Sequence, residues 1–255
     1  MERITQIYSG FGWHLMPELM EKYNLVRVRD HSRPCLFFGC YGDSQIEKAI
    51  KYAQKAKVVI WWSGSDVLHM IKNPDYVEQI KSPSIKHVAT VNFIEKDLAG
   101  VGITYDKVPL FSLKTALFEP YPLGDAIYVY KPGSGVYCPM PLYNRIRKEF
   151  SGIRFIEAHN HHTFTQTDLR EVYKQSFLAL RFTRHDGLAH TAAEIGLMGR
   201  KIVWNGNTPN ALNYSDEDGI MEQIESTIKQ RYCPYIVAKR MHEYMDDPSD
   251  KWLYV

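Results

Sequence analysis

Asp186 and Glu194 lie in the segment 177–203, FLALRFTRHDGLAHTAAEIGLMGRKIV, with seven residues between them. An apolar, strand-like run ends near Phe182. A polar loop of Thr183, Arg184, His185 and Asp186 follows, and Gly187 precedes a predicted helix. The free N–H groups of a first helical turn can hold phosphate oxygens, and Gly187 with the small Ala189 permits close backbone approach. Glu194 falls about 10 Å along the axis from the helix start. The two carboxylates could therefore touch opposite ends of one extended ligand, with phosphates between them. A carboxylate accepts two vicinal hydroxyls well, and phosphates want a cation, for which Lys131 at the end of a predicted strand is placed. The bland alternative is that Asp186 caps the helix and Glu194 is a solvated helix residue. The residues alone leave both open.

Other groups are weighed the same way. Asp66 closes Ser63-Gly-Ser-Asp66 after a strong strand, where it could bind an acceptor hydroxyl or cap the next helix. Asn92, at the end of another strand, is a weaker acceptor contact. His159, His161 and His162 lack a completing carboxylate or cysteine at ligand spacing, so no bound metal and no cofactor is expected. That loop, with His159 and Phe164, could instead surround a nucleotide base. Gly133-Ser-Gly135 lacks the rest of a P-loop pattern. Cys35, Cys40 and Cys138 read as core thiols. The basic runs 48–57 and 145–148 read as solvated faces that could dock to an anionic surface.

These residues need positioning elements. In the first half, strands are expected at 4–8, 25–28, 35–38, 58–62, 85–90 and 107–110, with helices at 46–56 and 93–98. A Pro/Gly-rich break, Phe118-Glu-Pro-Tyr-Pro-Leu-Gly124, separates the halves. The rhythm then restarts. Strands are expected at 126–130, 153–157, 177–182 and 201–204, with helices at 141–150, 166–176, 188–198 and 220–230. Thr167 or Asp168 is the expected cap of the second of these helices, and Gly199 the stop of the third. Alternating strands and helices predict an α/β protein of two Rossmann-like parallel-sheet domains facing a central cleft. The boundaries expected are 1–117 and 124–236 for the two domains. The last segment, 237–255, is partly helical and crosses back to the first domain.

Composition agrees. Of 255 residues, 45% are hydrophobic and 24% charged, which suits a globular protein. A net charge of +2 is too weak to argue for nucleic acid, and no nucleic-acid partner is expected. No apolar run reaches transmembrane length and the first residues do not read as a secretory signal, so a cytoplasmic protein is expected. The 17 tyrosines and 5 tryptophans are compatible with a homodimer.

The same segment carries a family resemblance. It resembles the retaining nucleotide-sugar glycosyltransferases of family 4, whose signature is an acidic residue, seven residues, then Glu, followed by a Gly-x-Pro-Val-Val-like strand. Here these are Asp186, Glu194 and Gly199-Arg-Lys-Ile-Val203, with Tyr173 and Ser176 at matching positions upstream. The match covers 166–206 and is diffuse elsewhere. It implies the type-B fold, with 1–117 on the acceptor side and 124–236 on the donor side, and transfer of a sugar from a nucleotide-activated donor to a glycan, glycoprotein or other hydroxyl acceptor. GDP-mannose is the first donor to consider, with UDP-sugars next. By the same resemblance Asp186 lies beside the donor sugar and Gly187 and Leu188 give amides to the diphosphate. Glu194 holds the ribose, Lys131 stabilises the departing phosphate, and Gly10 and Gly12 close on the diphosphate. The family's first acidic residue is usually Glu, and Asp186 is one methylene shorter. Its second basic residue is also missing after Lys131, a gap Arg184 could fill. An epimerase or phosphorylase of the same architecture, or a non-catalytic sugar-nucleotide-binding protein, are the alternatives.

Overall fold

The computed structural model describes residues 2–10, 16–110, 115–131, 140–159, 165–246 and 250–255. The chain divides into two compact units. The first comprises Met1–Leu113, His185–Leu188 and Asp247–Val255, and the second Lys114–Arg184 and Ala189–Asp246.

In the first unit the elements run β1 (Gln6–Ser9), α1 (Met16–Tyr23), β2 (Val26–Arg27), β3 (Cys35–Phe38), α2 (Asp43–Ala53), β4 (Val58–Trp61), α3 (Ser65–Ile71), α4 (Pro74–Ile80), β5 (Ile85–Ala89), α5 (Asn92–Gly100) and β6 (Asp106–Lys107). All pairings are parallel, in the order β2-β1-β3-β4-β5-β6. The strands CLFF and VVIW are buried at every position because helices cover both faces of a parallel sheet. Ile7, Leu36, Phe38, Val59, Trp61 and Val88 pack with Leu19 of α1 and with Trp252 and Leu253 from the far end of the chain. On the opposite face Phe37 contacts Tyr8 and Tyr52 of α2 at ring distances of 5.0 and 5.6 Å.

The second unit runs β7 (Ala126–Lys131), α6 (Met140–Glu149), β8 (Arg154–His159), α7 (Gln166–Lys174), β9 (Ser176–Leu180), α8 (His190–Leu197), β10 (Lys201–Val203), β11 (Ala211–Leu212), α9 (Glu217–Lys229) and α10 (Pro234–Met245). Its parallel sheet has the order β11-β10-β9-β7-β8. One face packs Ile127, Val129, Leu178, Leu180 and Val203 against Tyr143 and Ile146 of α6 and Ile220 and Ile224 of α9. Both sheets are thus doubly wound, with strand order reversing beside the first strand of each unit.

Several expectations shift. The sequence reading passes over α1, α3, α4 and β11, although Asn73-Pro74 carries a helix-start signal. The Asn73 side chain accepts from the Asp75 amide and Pro74 occupies the first helical turn. The cap of α7 is Thr165, reciprocally bonded with Asp168 in a capping box, and not Thr167 or Asp168. The helix expected at 188–198 starts at His190, because Ala189 is its N-cap. Gly199 follows α8 at φ +85°, the left-handed stop expected of it. After α10 the chain returns to the first unit, where the Ile4 amide donates to Leu253 O at 2.8 Å and the Glu2 amide to Val255 O at 2.9 Å.

Candidate functional site

In the second unit the strand order reverses between β7 and β9, and ligands of doubly wound sheets bind beyond the carboxyl ends of the strands at such a reversal. Lys131 is the last residue of β7, and Arg181 directly follows β9. The Lys131 side chain lies outside the described residues. Arg181 is buried, and its guanidinium lies 4.0 Å over the ring of Tyr130.

Glu194, the fifth residue of α8, is 5% exposed. Tyr173, fully buried at the end of α7, donates its hydroxyl to Glu194 Oε2 at 3.0 Å. Tyr128 of β7 packs edge-on against Tyr173 at 5.1 Å and fixes that ring. Burial pushes the Glu194 carboxyl up to about 7, against the opposing pull of the Tyr173 hydrogen bond and the Arg181 charge. Tyr173 is the one side-chain donor to this carboxyl among the described residues. Oε1 is therefore left for another partner. A carboxylate so held can accept hydroxyl protons from a ligand once it is ionised.

Asp186 falls in the first unit, with His185, Gly187 and Leu188. It is buried, and its Oδ1 accepts the Gly187 amide at 2.9 Å. The Leu188 amide donates to Ser63 O at 3.0 Å. Both amides expected to face a diphosphate thus have partners within the chain, and would have to exchange them to meet one. Gly187 is required for this packing. A Cβ there would sit 2.0 Å from Ser63 O and 2.3 Å from the Gly64 Cα, both immovable backbone atoms. His185 Nε2 lies 2.7 Å from Asp97 Oδ2, with Phe93 edge-on to its ring.

Asp66 is completely buried, and its carboxylate accepts the backbone amides of Cys40 (3.1 Å), Ser63 (3.1 Å), Gly64 (2.8 Å) and Val67 (3.0 Å). Its side chain ties the loop after β3 to the loop after β4. That is a structural employment of the oxygens expected to meet an acceptor. Burial raises the Asp66 pKa, and the four amides oppose the rise. Ser63 Oγ donates to the Tyr41 hydroxyl at 2.9 Å in the same loop pair. Asn92 is exposed in the first turn of α5, and Arg184 is exposed. A Cβ on Gly10 would overlap the Gln45 amide, whose Oε1 accepts the Tyr41 amide at 2.6 Å. His159 ends β8. Its side chain, and Gly12, Cys138, His161, His162 and Phe164, lie outside the described residues. Among the described residues no group of three or more His, Cys, Asp or Glu is placed to hold a metal ion, and no helix is long and apolar enough to cross a membrane.

Two residues escaped the sequence reading. Arg181 falls inside the strand expected at 177–182 and has no role assigned from the sequence. Arg200 is fully buried and donates to the carbonyls of Tyr121 (2.7 Å), Pro122 (2.7 Å), Tyr173 (3.1 Å), Lys174 (3.2 Å), Ser176 (3.2 Å) and Met198. It binds the linker, the end of α7 and the end of α8 into one knot behind Tyr173. Desolvation lowers its pKa to about 10. The available signal was an arginine between a helix-stopping glycine and a buried strand.

No family model matches the chain, and no curated protein matches it by sequence. The resemblance to family 4 therefore stands on its own quoted residues. Solved structures do match. Sucrose-phosphate synthase from Thermosynechococcus elongatus aligns with a TM-score of 0.53 at 10% identity, over 91% of this chain and 72% of that one. The pneumococcal O-GlcNAc transferase GtfA, solved with UDP and GlcNAc, aligns at 0.56 and 11% identity over 92% of this chain and 57% of its own. The lipopolysaccharide outer core galactosyltransferase WaaB aligns at 0.52 and 12% identity over 96% of both chains. The fold is the type-B glycosyltransferase architecture. In this type-B chain Glu194 belongs to the second unit and the Gly187 loop to the first.

Proposed function

We propose that the chain transfers a sugar from a nucleotide-activated donor to a hydroxyl group of a glycan or glycoprotein acceptor, with retention at the anomeric carbon. GDP-mannose is the favoured donor and a UDP-sugar the next. The observation that carries this reading is the Glu194 carboxylate. It is buried, held through one oxygen by Tyr173, and feels the charge of Arg181. A ribose diol supplies two donors to such a group. Lys131, at the end of the adjacent strand, would stabilise the charge that develops on the leaving diphosphate. Asp186 would lie beside the donor sugar. No side chain is assigned as nucleophile, and no metal is required.

Asp66 enters this reading as a residue that positions the Ser63 loop, because its oxygens already serve four backbone amides. An acceptor contact from this region would come from Asn92 or a neighbouring loop group.

A second reading is a non-catalytic binder of sugar nucleotides. The committed amides of Gly187 and Leu188 favour it. Calorimetric titration with GDP- and UDP-sugars tests the shared premise. Binding should occur and should weaken about tenfold or more in Glu194→Ala. No binding of any nucleotide sugar would sink both readings. Product analysis with an acceptor mixture then separates transfer from binding alone. Asp186→Ala should reduce turnover far more than affinity if transfer is correct.

A further inference from the structure

The first unit carries a basic groove of 410 Å³ between α2 and the loop joining β2 to β3. Its walls include His31, Ser44, Lys48, Lys51, Tyr52 and Lys55. Lys48 and Lys51 lie one turn apart on α2, and Lys55 lies in the turn that follows the helix.

Three observations separate this groove from an ordinary solvated lysine face. The first concerns charge. None of the three lysines forms an ion pair among the described residues. Glu47 also lines the groove and stands four residues before Lys51, the spacing that usually gives a pair. Its Oε1 instead accepts the Tyr76 hydroxyl at 3.1 Å. The second concerns placement. Lys48 Nζ is drawn 4.0 Å over the ring of Tyr8. The third is rigidity. The buried Tyr52 places its hydroxyl 2.8 Å from Asp30 O and 2.9 Å from Arg33 O, and its ring lies 5.3 Å from His31. Gln6 clamps the same loop by accepting the Arg29 and Asp30 amides at 2.9 and 3.0 Å and donating to Asp30 O at 2.9 Å. The loop and helix are thus preorganised around lysines that form no ion pair among the described residues.

We infer that this groove binds a ligand carrying two or more phosphate groups. Ammonium groups act as point charges that suit phosphate, whereas a planar carboxylate is better matched by arginine forks. Three lysines lining one groove suit several anionic groups, and a groove of this size holds a small molecule or a lipid headgroup. The inference does not rest on the transferase reading.

The test uses the full chain and inorganic tripolyphosphate. Amine acylation read by mass spectrometry should slow about fivefold or more at Lys51 and Lys55 with ligand present, and should be unchanged at the exposed Lys229 and Lys239. Calorimetric affinity should fall about tenfold or more in Lys51→Gln/Lys55→Gln and hold in Lys229→Gln/Lys239→Gln, which removes the same charge elsewhere. Parallel co-sedimentation uses phosphatidylcholine vesicles with and without phosphatidylinositol 4-phosphate. Lysine-dependent sedimentation without protection by tripolyphosphate assigns the phosphates to a lipid headgroup, and the reverse assigns them to a soluble ligand. Protection at all lysines alike, equal loss in both double variants, or binding to neither probe would overturn the inference.

Discussion

Tyr173 donates its hydroxyl to Glu194 Oε2 at 3.0 Å, and both groups are buried. The hydrogen bond favours the ionised carboxyl while burial favours the protonated one, and burial wins. On the proposed donor role, a ribose diol needs the ionised form. Nucleotide affinity should therefore climb with pH, by up to about tenfold per unit below the Glu194 pKa, and flatten above it. Calorimetry across pH 5.5–8.5, a range spanning about 7 on both sides, reads this directly. Tyr173→Phe should move the midpoint upward, and Glu194→Gln should leave a flat, weak profile. An unchanged profile in both variants would remove Glu194 from the binding site.

The same shift acts on stability with a definite sign. Folded Glu194 keeps its proton to about 7, whereas the unfolded side chain loses it near 4.5. The second unit should therefore lose stability as pH rises through that window and be level above it. His87 in the first unit behaves oppositely. Trp62 Nε1 donates to its Nδ1 at 3.1 Å, so Nε2 carries the hydrogen given to Ile80 O at 3.0 Å, and the buried ring stays neutral down to about 4. The first unit should lose stability as pH falls from 6.5 toward that value. Each slope is bounded by about 1.4 kcal/mol per pH unit. Hydrogen exchange read segment by segment, corrected for intrinsic rates, should show α8 and β9 loosening toward alkali and β4 and β5 toward acid. Glu194→Gln and His87→Gln should each abolish one trend.

Gly187→Ala should cost about 1–3 kcal/mol of stability in the first unit, since the added methyl meets the Ser63 and Gly64 backbone and must push it away. Loss of protection at the Leu188 amide, which now bonds Ser63 O, would locate the damage. A neutral effect would mean the loop leaves this position freely in solution.

Arg200→Met should be severe, about 3 kcal/mol or more, because carbonyls satisfied by one guanidinium lose it together. Arg200→Lys should rescue little, since one ammonium cannot reach the linker and both helix ends at once. Denaturant midpoints measure both. If Arg200 also positions Tyr173, whose carbonyl it holds, surviving Arg200→Lys protein should bind nucleotide more weakly than its stability alone explains.

Much of the frame is local and was legible. Cys35–Phe38 and Val58–Trp61 are continuous apolar strands, as a sheet covered on both faces requires, and Gly199 stops α8 in a conformation other residues resist. The pairing of Asp186 and Glu194 in one strand–loop–helix segment was likewise written in spacing. Spacing could not say what each carboxylate touches. Long-range packing decided that Asp66 is saturated by amides from two loops, that Asp186 and Gly187 join the first unit, and that Glu194 takes its proton donor from Tyr173. It also set Arg200 among carbonyls from Tyr121 to Met198 and gathered Lys48, Lys51 and Lys55 into one groove with His31. The residue types and their periodicity determined the elements. Burial and hydrogen-bond partners, which depend on segments distant in sequence, decided the charge state and availability of each group.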